Sequence, residues 1–292
     1  MPTPFQKSSF SEKLHFLSYL CIMDEKEVIF LRPVIQFDTE KCIRCGQCAA
    51  ICPTHHISME DGAPRFHHNR RCLQCMHCTA ACPKQAIHFE HVPAYAEYPD
   101  TPEDETIRLI MSRRSVRHFK PEAPEADDIA WALDLAQWAP SGKNRHLTRW
   151  MVALGKEKCD GIYNAICDIT AETGVMPALA QQRAKGNHDS VTCGCTAILL
   201  ALAPDSNNAL SPESAETDAH IAMATAELLL NKIGLGTCWG GYLTFFANTV
   251  PQIRAYLEIP EGYHVAGTLL CGIPNEKYFN IPYRPSAEVT WM

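Results

Sequence analysis

The chain has 292 residues, of which 46% are hydrophobic and 20% charged, with 20 prolines and 15 glycines. This composition excludes a disordered, collagen-like or coiled-coil protein, and the length suits one ordinary domain plus a smaller one. The net charge is −7 and no long basic run occurs, which argues against nucleic acid as a partner.

Residues 1–33 form an N-terminal extension with little structural signal. Their apolar run, Leu14 to Met23, is about half a membrane span, contains His15 and lacks a small-residue cleavage site. We therefore expect neither a signal peptide nor a membrane partner, and Met23 is an alternative candidate for the first residue. Without a signal peptide, the 15 cysteines do not indicate a secreted disulfide framework, and we expect a cytoplasmic protein.

An internal repeat of eight cysteines follows. Cys42 and Cys72 each begin the pattern C-x2-C-x2-C-x3-C-P with identical spacing, and an isoleucine follows each copy at the same offset, Ile57 and Ile87. Three thiolates separated by two residues each can surround one corner of an iron–sulfur cube, and the proline directs the fourth cysteine away. The alternative is a zinc module, but zinc sites usually use two C-x-x-C pairs with a longer gap between them.

This repeat, within residues 34–90, resembles the bacterial two-cluster ferredoxins, and the resemblance implies two 4Fe-4S clusters. In that family the fourth cysteine of each run ligates the other cluster. One cluster would be held by Cys42, Cys45, Cys48 and Cys82, and the other by Cys72, Cys75, Cys78 and Cys52. Many free ferredoxins are strongly acidic, whereas residues 36–90 hold five acids and six bases. We therefore expect a module that conducts electrons for its own chain.

Residues 91–103 are acidic and contain prolines, which indicates a linker to a second domain at 104–292. Residues 101–104 are typical of a helix start, and that helix should end near Ser112. Apolar spacing predicts two more helices, one that includes Ile129 and Ala136 and one from Glu216 to Ile233. Short apolar runs predict strands at 149–154, 196–203 and 263–271. This alternation predicts an α+β or α/β domain.

Three segments of the second domain suit a phosphate-bearing heterocyclic cofactor. The run Arg113 to Arg117 follows a helix and offers several cations to one anion. The turn from Ala139 to Asn144 offers an amide to a heterocycle edge. The paired glycines between Gly234 and Gly241 let backbone amides approach a flat ring. Taken singly, these segments could equally be a solvated basic face, an ordinary turn and a helix C-cap.

Taken together and in this order, the segments resemble the FMN-dependent nitroreductase family across residues 104–285. The resemblance implies an α+β fold, in which a small two-cluster ferredoxin-like domain precedes a nitroreductase-like α/β sandwich. It assigns the FMN phosphate to Arg113, Arg114, Ser115, Arg117 and Arg284. It assigns the loop below the ring to Gly240 and Gly241, and a flavin contact across a homodimer interface to Pro140, Ser141, Gly142 and Asn144. It provides no catalytic acid that can be mapped onto this chain.

One departure from the family concerns the residues after Asn144. The family commonly has one residue and then Gln-Pro-Trp, whereas this chain has Arg145-His146-Leu147-Thr148. The extra cations would favour an anionic substrate or stabilise reduced flavin, and the alternative is a surface loop without a role. Most of the seven remaining cysteines are expected to be small buried hydrophobic residues, and Cys238 is expected to pack under the ring.

These features predict an FMN-dependent, nitroreductase-like oxidoreductase. Reduced ferredoxin or another low-potential reductant would supply electrons, the two clusters would pass them singly to FMN, and FMN would reduce a small organic acceptor by two-electron transfer. Nitroaromatics, quinones, enones, halogenated aromatics and flavin itself are all candidate acceptors. The alternative is an electron-transfer flavoprotein module that hands electrons to a protein partner and has no substrate of its own.

Overall fold

The computed structural model describes residues 35–67, 70, 72–90, 105–186, 189–205 and 212–292. The predicted extension at 1–33 and the predicted linker at 91–103 lie outside the described residues, so these domain boundaries stay predictions. Within the described part of the chain, no helix combines the length and the apolar character needed to cross a membrane.

The cysteine repeat folds into a module of two short two-stranded sheets and two short helices. Strand β1 (Ile35–Phe37) pairs antiparallel with β4 (Ile87–Phe89), and β2 (Ile57–Glu60) pairs antiparallel with β3 (Ala63–Phe66). Each cysteine run continues into one short helix, α1 (Gln47–Ala50) or α2 (His77–Ala81). Ile57 and Ile87, the two isoleucines at the same offset in the repeat, are buried in one common core.

The second domain is built on a four-stranded antiparallel sheet in the order β5-β6-β8-β7. Its strands are β5 (Arg149–Leu154), β6 (Ala197–Pro204), β7 (Gly236–Trp239) and β8 (Tyr263–Gly272). Its helices are α3 (Glu105–Ser112), α4 (Ala126–Ala136), α5 (Lys156–Thr173), α6 (Ala178–Ala184), α7 (Pro212–Lys232), α8 (Gly241–Thr249) and α9 (Pro251–Tyr256), with a 3₁₀ turn at Gly142–Asn144.

The two faces of β6 divide the domain into two cores. Ile198, Leu200 and Leu202 pack on one face with residues of α5, α6, α8 and α9. Leu199 and its neighbouring alanines pack on the other face with residues of α4 and α7. Because successive side chains of a strand point to opposite faces, a strand covered on both sides is apolar throughout. The domain is thus a helix–sheet–helix sandwich, which confirms the predicted fold class.

The predicted strands agree with β5, β6 and β8 to within one residue at each end. The predicted end at Ser112 and the helix containing Ile129 and Ala136 are also confirmed, and α7 begins four residues before the predicted Glu216. The segment 234–241 was predicted as a glycine-rich loop, but residues 236–239 form strand β7, because they pair with the buried strand β8. Six of the seven remaining cysteines are buried, as predicted, and Cys21 lies outside the described residues.

Candidate functional site

The eight cysteines of the repeat surround two separate cavities, four to each. The first cysteine set, Cys42, Cys45, Cys48 and Cys82, lines a cavity of about 390 Å³ including its open mouth. The second cysteine set, Cys52, Cys72, Cys75 and Cys78, lines a cavity of about 330 Å³ measured in the same way. The fourth cysteine of each run therefore lies beside the first three of the other run, which is the grouping that the ferredoxin resemblance implies.

The surroundings of these sulfurs suit thiolates neutralised by iron. Backbone N–H groups of His56 and Ala86, equivalent positions in the repeat, donate to Cys52 Sγ and Cys82 Sγ, both at 3.2 Å. Burial raises the pKa of the Cys48 thiol to about 11 and that of Cys78 well above its usual value, so a positive group is needed to hold either as a thiolate. Hydrogen bonds to sulfur and a low-dielectric shell are typical of iron–sulfur ligation.

Among the described residues, no group of three or more histidine, cysteine or carboxylate side chains is arranged to hold a single metal ion. The two cysteine sets are instead arranged around open cavities.

Anaerobically reconstituted protein should contain about eight iron and eight sulfide per chain, since each 4Fe-4S cube needs four of each. Cys82→Ser should damage the cluster of the first cysteine set more than that of the second, because Cys82 lines only the first cavity. Metal analysis and cluster-resolved electron paramagnetic resonance (EPR) check both statements. Bound zinc in place of iron, or selective loss of the second cluster, would contradict them.

The predicted phosphate segment and the glycine-rich segment lie side by side. Ser115 forms a parallel bridge with Thr237, and the Val116 N–H donates to the Thr237 carbonyl at 2.8 Å. A Cβ built on Gly236 would lie 2.8 Å from Val116 Cγ1, closer than side-chain carbons approach, so this strand position requires glycine. The fold thus joins residues 113–117 to the strand that leads directly into Gly240 and Gly241.

Glu227, which the sequence analysis missed, holds this region together from α7. Its buried carboxylate pairs with Arg113 Nη1 at 3.2 Å and accepts hydrogen bonds from Thr237 Oγ1 at 3.2 Å and Trp239 Nε1 at 3.1 Å. An acidic residue within the apolar stretch 226–230 was the only available signal. The carboxylate fixes Arg113 and β7 relative to one another.

A second buried carboxylate, Glu276, anchors the other end of the phosphate segment. It accepts hydrogen bonds from the Arg117 backbone N–H at 3.3 Å and from Tyr278 Oη at 2.7 Å, and it lies 2.8 Å from His118 Nδ1. The Arg117 guanidinium turns back to the Ser115 carbonyl at 3.3 Å, and the Arg114 guanidinium donates to the Met111 carbonyl. Four of the five residues assigned to the phosphate therefore lie in one braced segment.

The turn that contains Pro140, Ser141, Gly142 and Asn144 is held by α7. The Gly142 N–H donates to the buried Asp218 carboxylate at 2.9 and 3.0 Å. Lys143 and Asn144 have left-handed backbone angles, φ 56° and 55°, and both side chains are exposed. Two consecutive non-glycine residues in this region cost about 1–3 kcal/mol each, and such strain is concentrated at functional sites.

Arg284 lies against the cysteine module. Its Nη2 atom is 3.4 Å from the Cys75 carbonyl oxygen, and its Nη1 atom is 3.1 Å from the Tyr283 carbonyl oxygen. This places the late arginine beside the second cysteine set, and its assignment to the phosphate stays a prediction.

The cysteine module is fastened to the second domain by the segment 278–284, the C-terminal strap. The Phe279 and Asn280 N–H groups both donate to the Ala80 carbonyl, at 2.8 and 3.1 Å. Asn280 Nδ2 donates to the Thr79 and Cys82 carbonyls at 3.2 and 2.7 Å. Asn280 thus adds hydrogen bonds to carbonyls at the end of the helix that carries Cys78.

The module also meets the phosphate segment directly. His77 Nε2 lies 3.1 Å from the Ser115 carbonyl oxygen, and the His77 ring packs edge-on against Tyr278 with centroids 5.8 Å apart. Burial lowers the pKa of His77. Neither His77 nor Asn280 was identified from the sequence, because neither belongs to a ligand motif.

Comparisons with known proteins match both parts of the chain. The Nitroreductase family model matches residues 110–273, and the model of a 4Fe-4S dicluster domain matches residues 41–87. An iodotyrosine deiodinase of Thermotoga neapolitana is 34% identical over 65 residues, which cover 22% of this chain and 34% of that relative. The match thus spans about a third of the length of that curated protein.

Solved structures show the same fold in the second domain. A nitroreductase with bound FMN from Bacteroides fragilis has a TM-score of 0.53 and 21% identity, covering 64% of this chain and 98% of that chain. A nitroreductase with bound FMN from Desulfitobacterium hafniense has a TM-score of 0.51 and 23% identity, with the same two coverages. The two resemblances noted in the sequence are confirmed.

Proposed function

Because this chain belongs to the nitroreductase family and carries a 4Fe-4S dicluster domain, we propose that it is an FMN-dependent oxidoreductase supplied by its own iron–sulfur clusters. Two 4Fe-4S clusters receive electrons singly from a low-potential donor and pass them to FMN, which reduces a small organic acceptor. The observation that carries this proposal is the docking of the cysteine module on the second domain, where Arg284 reaches the Cys75 carbonyl at 3.4 Å. A cluster-binding module seated there is placed to serve that domain.

The residues of this chain fit a flavin phosphate and ring. FMN, when bound, supplies chemistry that exchanges electrons singly on one side and in pairs on the other. Arg113, Arg114, Ser115 and Arg117 would hold the phosphate, and charge-assisted hydrogen bonds from arginine suit such an anion. Glu227 and Glu276 keep that segment in place. At Gly241, one of the two glycines assigned to the ring, a Cβ would meet nothing within 4 Å, so open space lies beside this residue.

We further propose a homodimer with two equivalent flavin sites. Helix α4 and the turn after it expose three large apolar side chains, Trp131 at 42%, Leu135 at 36% and Trp138 at 84%. Apolar residues grouped in this way are typical of an interaction surface. The turn at 140–144 follows this surface in the chain, with Asn144 exposed, which supports its assignment to the flavin of the partner subunit.

Size-exclusion chromatography with light scattering should find a dimer. Trp138→Asp should shift the protein toward monomer and weaken FMN binding in parallel, because a charge would have to be buried in the interface. Lys158→Ala, at an exposed position on α5, should change neither property. A monomer that retains tightly bound FMN would remove the dimer from the proposal.

Anaerobic steady-state turnover tests the proposed activity. With reduced ferredoxin as donor, the protein should reduce at least one member of a panel of nitroaromatic, quinone, enone and halogenated aromatic acceptors. Because Lys143 and Arg145 are exposed in the strained turn, acceptors with a carboxylate should be preferred over their neutral esters. Arg145→Ala should raise KM for the carboxylates by about 2- to 5-fold, the range of exposed ion pairs. Reduction of clusters and flavin without turnover of any acceptor would support the electron-carrier alternative.

A further inference from the structure

We propose that electrons leave the cysteine module through His77, whose side chain connects the second cysteine set to the phosphate segment. This inference rests on the proposed function and adds to it which cluster delivers electrons to the flavin and which side chain they pass. The first cysteine set then accepts electrons from the donor, and the two clusters act in a fixed order.

His77 is a buried residue within the second cysteine run. It lies in the chain between Cys75 and Cys78, and only 8% of the residue is exposed. Because a carbonyl oxygen only accepts hydrogen bonds, the 3.1 Å contact to Ser115 requires the proton of His77 to be on Nε2. Nδ1 is buried and has no hydrogen-bond partner among the described residues. The side chain is thus committed to the contact with the second domain.

The connection continues on the far side of Ser115. The bridge between Ser115 and Thr237 and the 2.8 Å hydrogen bond from Val116 join the phosphate segment to β7. Strand β7 leads within the chain to Gly240, at the predicted floor of the flavin ring. Electron tunnelling weakens with distance, and it weakens less through covalent and hydrogen bonds than through gaps. His77 therefore gives the second cysteine set a bonded path to both predicted flavin segments.

The internal repeat shows that this arrangement belongs to one set only. Gln47 holds the place in the first run that His77 holds in the second, and its buried Oε1 has no hydrogen-bond partner among the described residues. Cys45 of the first set is exposed, whereas Cys78 of the second set is buried. At the equivalent positions of the repeat, Cys75 is half-buried where Cys45 is exposed, and Cys48 is half-buried where Cys78 is buried. Among the described residues, the first set is thus the more accessible to a donor.

The electron balance is simple. In each transfer a reduced cluster of the second set loses one electron and FMN gains one, and the first cluster then re-reduces the second. Two transfers, together with two protons taken from water, give fully reduced FMN. The electrons come from the donor, a one-electron iron–sulfur protein such as reduced ferredoxin.

The test compares His77→Phe with Gln47→Leu in the holoprotein. Phenylalanine keeps a flat ring against Tyr278 but removes the Nε2 donor. After anaerobic mixing with reduced ferredoxin, bleaching of the clusters and of the flavin is followed separately by stopped-flow absorbance. His77→Phe should keep the iron content, the EPR spectrum and the rate of cluster bleaching, while flavin bleaching becomes slower than in the wild type, because a gap replaces the hydrogen-bonded link to Ser115. In Gln47→Leu, flavin bleaching should keep pace with cluster bleaching.

His77→Gln retains an N–H donor and should recover part of the rate of flavin bleaching. This variant also serves as the test if the phenylalanine variant loses iron. Flavin bleaching at the wild-type rate in an iron-replete His77→Phe protein, or equal slowing in Gln47→Leu, would overturn the inference. If wild-type flavin were not reduced by the clusters at all, the proposed function would fail, and that result is distinct from either of these.

Discussion

Glu227→Ala should lower the free energy of unfolding of the second domain by about 3 kcal/mol, the lower end of the range for a broken buried ion pair. The loss leaves Arg113, Thr237 and Trp239 without the carboxylate that they share. The lower end applies because the Arg113 side chain is 30% exposed and water can replace part of the interaction. Urea unfolding followed by tryptophan fluorescence measures the change.

The matched control for this substitution lies on the same helix. Glu216 is exposed near the start of α7, so Glu216→Ala should change stability by less than about 0.5 kcal/mol. Because Glu227 also orients Arg113, its replacement should weaken FMN binding as well. A loss below about 1 kcal/mol for Glu227→Ala would mean that the three partners find other acceptors, and the bracing role would be withdrawn.

Arg284→Ala should weaken FMN binding by about 10- to 150-fold and leave the iron content unchanged, if the arginine serves the phosphate. A charge-assisted hydrogen bond contributes about 1.5–3 kcal/mol, which corresponds to that range of affinity. Riboflavin lacks the phosphate, so its affinity should hardly change. Fluorescence titration of the apoprotein with both flavins measures the two effects.

The structure gives this experiment a second informative outcome. Arg284 contacts the Cys75 carbonyl, so its role could be confined to the module. In that case Arg284→Ala would disturb the cluster of the second cysteine set and leave FMN affinity intact. Equal loss of FMN and riboflavin would instead indicate damage to the C-terminal strap.

Features governed by local pattern were predictable from the sequence. The cysteine spacing identified both ligand runs, because a thiolate can join a cube only at a few offsets along the chain. The runs that became β5, β6 and β8 were recognisable because they are short and apolar. The phosphate and glycine-rich segments were recognised as an ordered group, although each was weak alone.

Features that depend on distant partners were not predictable. Strand β7 contains Gly236, whose need for glycine comes from Val116. This close approach becomes visible only once the phosphate segment is paired with β7. Glu227, Glu276 and Asn280 are single polar residues whose partners lie far away in the chain. Helix α5 was missed because its buried positions include Cys159, Cys167 and Thr170, which weaken the apolar periodicity. In each case the deciding information is a tertiary contact.

The C-terminal strap also sets an order of events during synthesis. Gln85 and Asn280, which are hydrogen-bonded at 3.0 Å, are separated by 195 residues. At about 5–20 residues per second, the ribosome needs about 10–40 s to make the intervening chain. Throughout that time the strap that contacts the end of α2 does not yet exist. Iron can therefore be delivered to open cysteines before the flavin domain closes over His77, and assembly of the clusters need not reopen the finished protein.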